Sequence, residues 1–127
     1  MSAVLIVEDD PVIAAIIKNI VEKAGYHSVW ISDGGEAYRT LTTDANFVAA
    51  IFDIELPKIK GTDLIRHMRS EKRLRRIPIM AMTGEDSIKV QLDSHSAGAA
   101  LFIPKPFERS TFETMFLMLV DKNSVAV

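Results

Sequence analysis

The chain has 127 residues, 48% of them hydrophobic and 25% charged, the make-up of one soluble globular domain with a real core and too short for two ordinary ones. A formal net charge of -2 gives no general pull toward nucleic acid or anionic membrane, and the lack of cysteine excludes disulfides, thiol catalysis and Cys-ligated metals. The first apolar run, Val4 to Val7, is too short for a signal peptide or a membrane span, so a cytoplasmic location is expected.

Apolar runs alternate with segments of helical period, the mark of βαβ units on a parallel sheet. Val4 to Val7 reads as a first strand, followed by the acidic triplet Glu8, Asp9 and Asp10. Val12, Ile13, Ile16, Ile17, Ile20, Val21 and Ala24 then recur at three- and four-residue spacing and predict a helix that Gly25 stops. Pro11 suits its first position and Asp10 its N-cap. His27 to Ile31 predicts a short second strand, and Asp33-Gly34-Gly35-Glu36 a turn and capping box into a helix ending near Thr42. Phe47 to Phe52 is apolar without a break and predicts a buried strand. A loop from Asp53 to Gly61 leads to a helix with Leu64, Ile65 and Met68 on one face. Ile77 to Met82 predicts the fourth strand, Glu85 to Ala97 a weakly amphipathic helix closed by Gly98, and Ala99 to Ile103 the fifth strand. The last helix runs from Glu108 to about Asp121 with Phe112, Met115, Phe116 and Leu119 at helical spacing. Five β–α units in one domain, residues 1–127, is the expected organisation.

Four of these strands end in polar residues of different types: the acidic triplet, Asp53, Thr83 and, through Pro104, Lys105. In an open parallel sheet the carboxyl ends of the strands share one edge, where such folds bind ligands. The fold therefore gathers an acidic cluster, a lone Asp, a hydroxyl and an ammonium in one pocket. Carboxylates hold a hard cation such as Mg²⁺, while a lysine and a hydroxyl suit phosphoryl oxygens. That set belongs to phosphoryl transfer.

From Leu5-Ile6-Val7-Glu8-Asp9-Asp10 through Phe52-Asp53-Ile54-Glu55-Leu56-Pro57 with Gly61, Met82-Thr83-Gly84 and Lys105-Pro106-Phe107, the chain resembles a receiver domain of two-component response regulators, of the single-domain kind. The resemblance covers nearly the whole chain, and all four motifs stand in order on the right elements. It implies a doubly wound α/β fold, flavodoxin-like (βα)5, with the five-stranded parallel sheet in the order 2-1-3-4-5 that is known for this family. It implies that Asp53 is the phosphoacceptor and, with Asp9 and the Glu55 backbone carbonyl, a Mg²⁺ ligand, with Glu8 as an outer-sphere partner through water. Lys105 would pair with phosphoryl oxygens and Thr83 would donate a hydrogen bond to one. Which two members of the triplet form the acidic pair is open in the residues themselves. The strand end favours Glu8 and Asp9, because a cap role already occupies Asp10. The resemblance further implies a cis peptide before Pro106 and a switch in which Thr83 moves and an aromatic on strand five, here Phe102, fills the space it leaves.

The donor would be a histidine kinase or histidine phosphotransfer protein. Output would run to an unknown protein, to onward phosphotransfer or to a homodimer, through the face between helix four, strand five and helix five, where Leu117, Met118 and Val120 exceed the core stripe. Two other functions compete: a receiver fold that only docks, and a Mg²⁺-dependent phosphohydrolase with an Asp nucleophile, which would carry its nucleophile after the first strand. As a conventional enzyme the chain is not expected to act; it would catalyse its own phosphorylation and dephosphorylation.

The remaining features have plain structural readings. His27, His67 and His95 share no ligand spacing and are expected to be surface or satisfied histidines. Arg66, Arg69, Lys72, Arg73, Arg75 and Arg76 carry no interleaved aromatics for nucleic acid and read as a solvated helix end. Trp30 reads as packing on an edge strand. Glu55 and Glu85 stand two residues past Asp53 and Thr83 and are expected to border the phosphoryl pocket, and Pro104 removes a strand N–H beside Lys105.

Overall fold

Successive residues of a strand point to opposite faces, and the sheet of this protein uses both. Its computed structural model describes residues 2–44, 46–84 and 88–121. The elements are β1 (Ala3–Val7), α1 (Pro11–Lys23), β2 (His27–Ile31), α2 (Gly34–Thr43), β3 (Phe47–Asp53), α3 (Gly61–Ser70), β4 (Ile79–Thr83), α4 (Ile88–Ala97), β5 (Leu101–Pro104) and α5 (Arg109–Val120). All pairings are parallel and the order is β2-β1-β3-β4-β5, as expected. Val4, Ile6, Ala49, Ile51, Met80 and Met82 face α1 and α5, meeting Ile17, Ile20, Val21, Phe112, Phe116 and Leu119. Leu5, Val7, Ala50, Phe52, Ile79 and Ala81 face the other way, onto Ala37 and Leu41 of α2, Leu64, Ile65 and Met68 of α3 and Ala97 of α4. Two apolar layers therefore hold β1, β3 and β4 rigidly between them, and the residues at their carboxyl ends inherit that rigidity.

The helix ends follow the sequence signals. Asp10 Oδ1 accepts from the Val12 N–H at 2.9 Å and the Ile13 N–H at 3.5 Å, with Pro11 first in the helix. Such a cap is worth about 1 kcal/mol. Gly25 after α1 and Gly98 after α4 both have positive φ, 96° and 122°. Asp33 Oδ1 caps α2 through the Glu36 N–H at 2.7 Å. β4 starts at Ile79, not Ile77, because the Ile77 N–H is spent in a turn on the Leu74 carbonyl and Pro78 has no N–H to give. β5 lies at the sheet edge and ends in Pro104 opposite Thr83, so the missing donor costs little. The ladder resumes with Lys105 N–H to the Thr83 carbonyl at 2.7 Å. The Lys105–Pro106 peptide is cis.

Several expectations need correction. In α1, Val12 is 68% exposed and Ile16 is exposed too, so the apolar stripe is wider than the face the sheet can cover. In α5, Leu117 and Met118 are exposed as expected, but Val120 packs partly against the core, and Met115 is only partly buried. The basic stretch is not merely a solvated helix end. Arg69 donates to the carbonyls of Gly98, Arg75 and Ile77, Arg73 to that of Leu41 and Arg76 to that of Phe47, so three of its cations tie loops together. His27 and His95 are exposed, but His67 packs against the Tyr38 ring at 4.7 Å with its Nε2 buried and without a hydrogen-bond partner among the described residues. Among the described residues no helix is long and apolar enough to cross a membrane. Glu85, the first turn expected for the fourth helix and the tail Asn123 to Val127 lie outside the described residues.

Candidate functional site at the carboxyl edge of the sheet

Parallel pairing sets the ends of β1, β3, β4 and β5 side by side. Glu8 extends the β1 ladder by one bond, its N–H to the Ile31 carbonyl at 3.1 Å, and that turns its side chain into the protein, where it is fully buried. Asp9 faces solvent. Asp53 closes β3, the middle strand, opposite Met82, and is 3% exposed. Thr83 closes β4 and is fully buried. Lys105 follows β5 and reaches back over the edge.

One oxygen each from Glu8, Asp9 and Asp53 lies within 4.8 Å of the other two. Asp10 stays out of this group, with its carboxylate on the α1 cap. Three carboxylate oxygens at that spacing are the hard donor set that Mg²⁺ takes. Lys105 Nζ sits 3.0 Å from Glu8 Oε1 and 3.0 Å from Asp53 Oδ2, sharing one ammonium between two buried acids. Burial pushes the Glu8 acid up to about 7, against the opposing pull of the Asp10 N–H and of Lys105. For Lys105, burial alone would lower the ammonium, but the hydrogen bonds and charges of Glu8 and Asp53 outweigh it and hold it above its ordinary value. Asp53 Oδ1 also accepts the Glu55 N–H at 2.9 Å, leaving the carboxylate fixed at both oxygens.

Two contacts here were not legible in the sequence. The Trp30 indole N–H donates to the Glu8 carbonyl at 2.7 Å, so the residue expected only to pack also pins the backbone beneath the acidic group. The Glu55 side chain crosses to β4, where its Oε1 accepts from the Thr83 hydroxyl at 2.8 Å and the Gly84 N–H at 3.2 Å. Phe102, opposite Ala81, is half-buried against the layer that holds Phe52, and it lines a cavity of about 280 Å³ with Leu92, His95, Ala99, Leu101 and Met115.

The family model for the response regulator receiver domain matches residues 4–116, from β1 into α5. The chain belongs to that family. As a receiver domain it is 33% identical over 120 residues to the chemotaxis protein CheY1 of Helicobacter pylori, covering 94% of this chain and 97% of that protein. A CheY-like receiver domain protein of Methanospirillum hungatei superposes with a TM-score of 0.87 at 28% identity, covering 100% of this chain and 99% of the other. The receiver domain of a sensor histidine kinase from Pseudomonas aeruginosa, whose active-site cleft coordinates a magnesium ion, gives a TM-score of 0.82 at 27% identity over 94% and 97% of the two chains.

Proposed function

We propose that this receiver domain is a phosphoacceptor switch that takes a phosphoryl group from a phosphohistidine protein onto Asp53. The observation that carries the reading is the state of Asp53: buried, alone at the end of the middle strand, and 3.0 Å from a lysine ammonium. A carboxylate is already an anion, so no general base is needed; what opposes the reaction is repulsion between the carboxylate and the incoming phosphoryl group. An Asp53 oxygen attacks phosphorus as the phosphorus–nitrogen bond of the donor breaks. The imidazole keeps that electron pair and takes a proton from water, leaving an acyl phosphate on Asp53. Lys105 balances charge on the transferring group and the Thr83 hydroxyl donates to one of its oxygens. Glu8, Asp9, Asp53 and the Glu55 backbone carbonyl would hold Mg²⁺, and the ion would supply positive charge against that repulsion; the related kinase receiver also coordinates a magnesium ion in its active-site cleft.

The phosphoryl group adds charge and acceptor oxygens that draw Thr83 and Lys105 toward it. Phe102 follows into the space beneath β4, and the surface between α4, β5 and α5 changes shape. Phe has no hydroxyl to hold it in water, so its inward state is populated in part before phosphate arrives. Exposed Leu92 of α4 and Leu117 and Met118 of α5 give that region apolar area for an output protein or a second copy.

Incubation with acetyl phosphate and Mg²⁺ should add one phosphate, about 80 Da, to the intact mass, and Asp53→Asn should abolish it. Undiminished labelling of Asp53→Asn would refute the assignment. An unlabelled wild type would leave a docking module as the reading. In the phosphorylated sample, hydrogen exchange should change between residues 88 and 120; change confined to the Asp53 loop would refute the switch.

A further inference from the structure

The Thr83 hydroxyl, assigned above to a phosphoryl oxygen, and the adjacent Gly84 N–H are donors at the end of β4, and Glu55 Oε1 already accepts from both, at 2.8 and 3.2 Å. The Glu55 oxygen is also the one atom within 4 Å of where a Cβ on Gly84 would stand, so among the described residues nothing else fills that corner. The same residue holds the acceptor itself, through its N–H to Asp53 Oδ1 at 2.9 Å. Its side chain is otherwise exposed, on the loop between β3 and α3, and can leave into water.

We propose that the Glu55 carboxylate is an internal stand-in for a phosphoryl oxygen, seated on the Thr83 and Gly84 donors of the resting protein and displaced when phosphate arrives. The inference rests on the phosphoacceptor reading and adds a competitor to it. One donor pair cannot serve both anions, so every phosphoryl group that settles on Asp53 must expel a carboxylate from two hydrogen bonds. Glu55 thereby sets the threshold at which the switch turns on, and it returns to the same donors when phosphate leaves. Thr83 is then tied in both states: to a carboxylate in one, to a phosphoryl oxygen in the other.

The test uses the full chain with Mg²⁺ and beryllium trifluoride, an analogue that needs no phosphorus–oxygen chemistry. Glu55→Ala should bind it on the order of tenfold more tightly, the scale of freeing two donors from a charged acceptor. Glu55→Gln keeps an oxygen that can accept from both donors and should show a smaller gain. In a Thr83→Ala background one of the two donors is gone, so the gain from Glu55→Ala should shrink. An equal gain with and without Thr83 would reduce the effect to simple charge and overturn displacement; no gain at all would overturn it too. If the wild type neither takes phosphate from acetyl phosphate nor binds the analogue, the phosphoacceptor reading itself fails. If it does both and Glu55→Ala binds no tighter, only the competitor is wrong.

Discussion

Lys105→Ala is expected to destabilise the metal-free protein by about 3–5 kcal/mol, the cost of stranding a buried ion-pair partner. Glu8 is fully buried and the Asp53 side chain 4% exposed, and among the described residues the Lys105 ammonium is the cation that pairs with both, at 3.0 Å from each. Glu8 is already pushed up to about 7 by burial with Lys105 in place, and without it the acid rises further. An acid whose folded value lies above its unfolded one binds more protons folded than unfolded between the two, so stability falls as pH rises through that window. The deficit of Lys105→Ala should therefore be largest above pH 7 and shrink toward pH 5, and Mg²⁺ should offset part of it. Urea titrations at pH 5 and 8, with and without Mg²⁺, measure this; wild-type stability at pH 8 would contradict it. Phosphorylation of the variant should slow roughly a hundredfold, as when one preorganised charge partner of a transition state is removed.

Gly61→Ala is expected to be equally damaging for a steric reason. A Cβ at this buried position would overlap the Asp53 carbonyl oxygen and come within 2.7 Å of the Ile54 Cα. Both are backbone atoms, which cannot rotate aside as a side chain would. The Gly61 N–H bonds the Ile54 carbonyl at 3.0 Å, so the start of α3 and the end of β3 must part together. A loss of about 3 kcal/mol is expected, at the upper end for overpacking, with Asp53 displaced and phosphorylation lost alongside. Gly84→Ala makes the contrast: among the described residues its Cβ would meet only Glu55 Oε1, at 3.8 Å, and thermal melting should barely move.

The strands were legible because each is a short apolar run bounded by turn residues, and their alternation with helices required a parallel sheet. The order β2-β1-β3-β4-β5 came from resemblance to a family, since nothing in periodicity orders five parallel strands. Asp10 could be separated from Glu8 and Asp9 because Asp-Pro at a helix start has a definite geometric meaning. Val12 and Ile16 could not be told from Ile17 and Ile20, since an apolar stripe wider than its groove looks the same in sequence. What stayed hidden were contacts made by long polar side chains across the fold. Arg69 reaches Gly98, Arg76 reaches Phe47 and Glu55 reaches Thr83, and no local spacing encodes such meetings. For Glu55, its place two residues past Asp53 predicted a position bordering the pocket, while its contact with two donors at the end of β4 had no signal in the sequence.

Trp30 is the single tryptophan of the chain, 45% exposed and with its indole N–H on the carbonyl of Glu8. The fluorophore is thus one hydrogen bond from the acidic group, on a strand that faces water. Indole emission shifts in colour and yield with the field and hydration around the ring, so recruitment of a cation or an anion beside Glu8 should register in its spectrum. The molecule carries its own optical reporter, and titrations of Mg²⁺ or beryllium trifluoride can be followed in unlabelled protein.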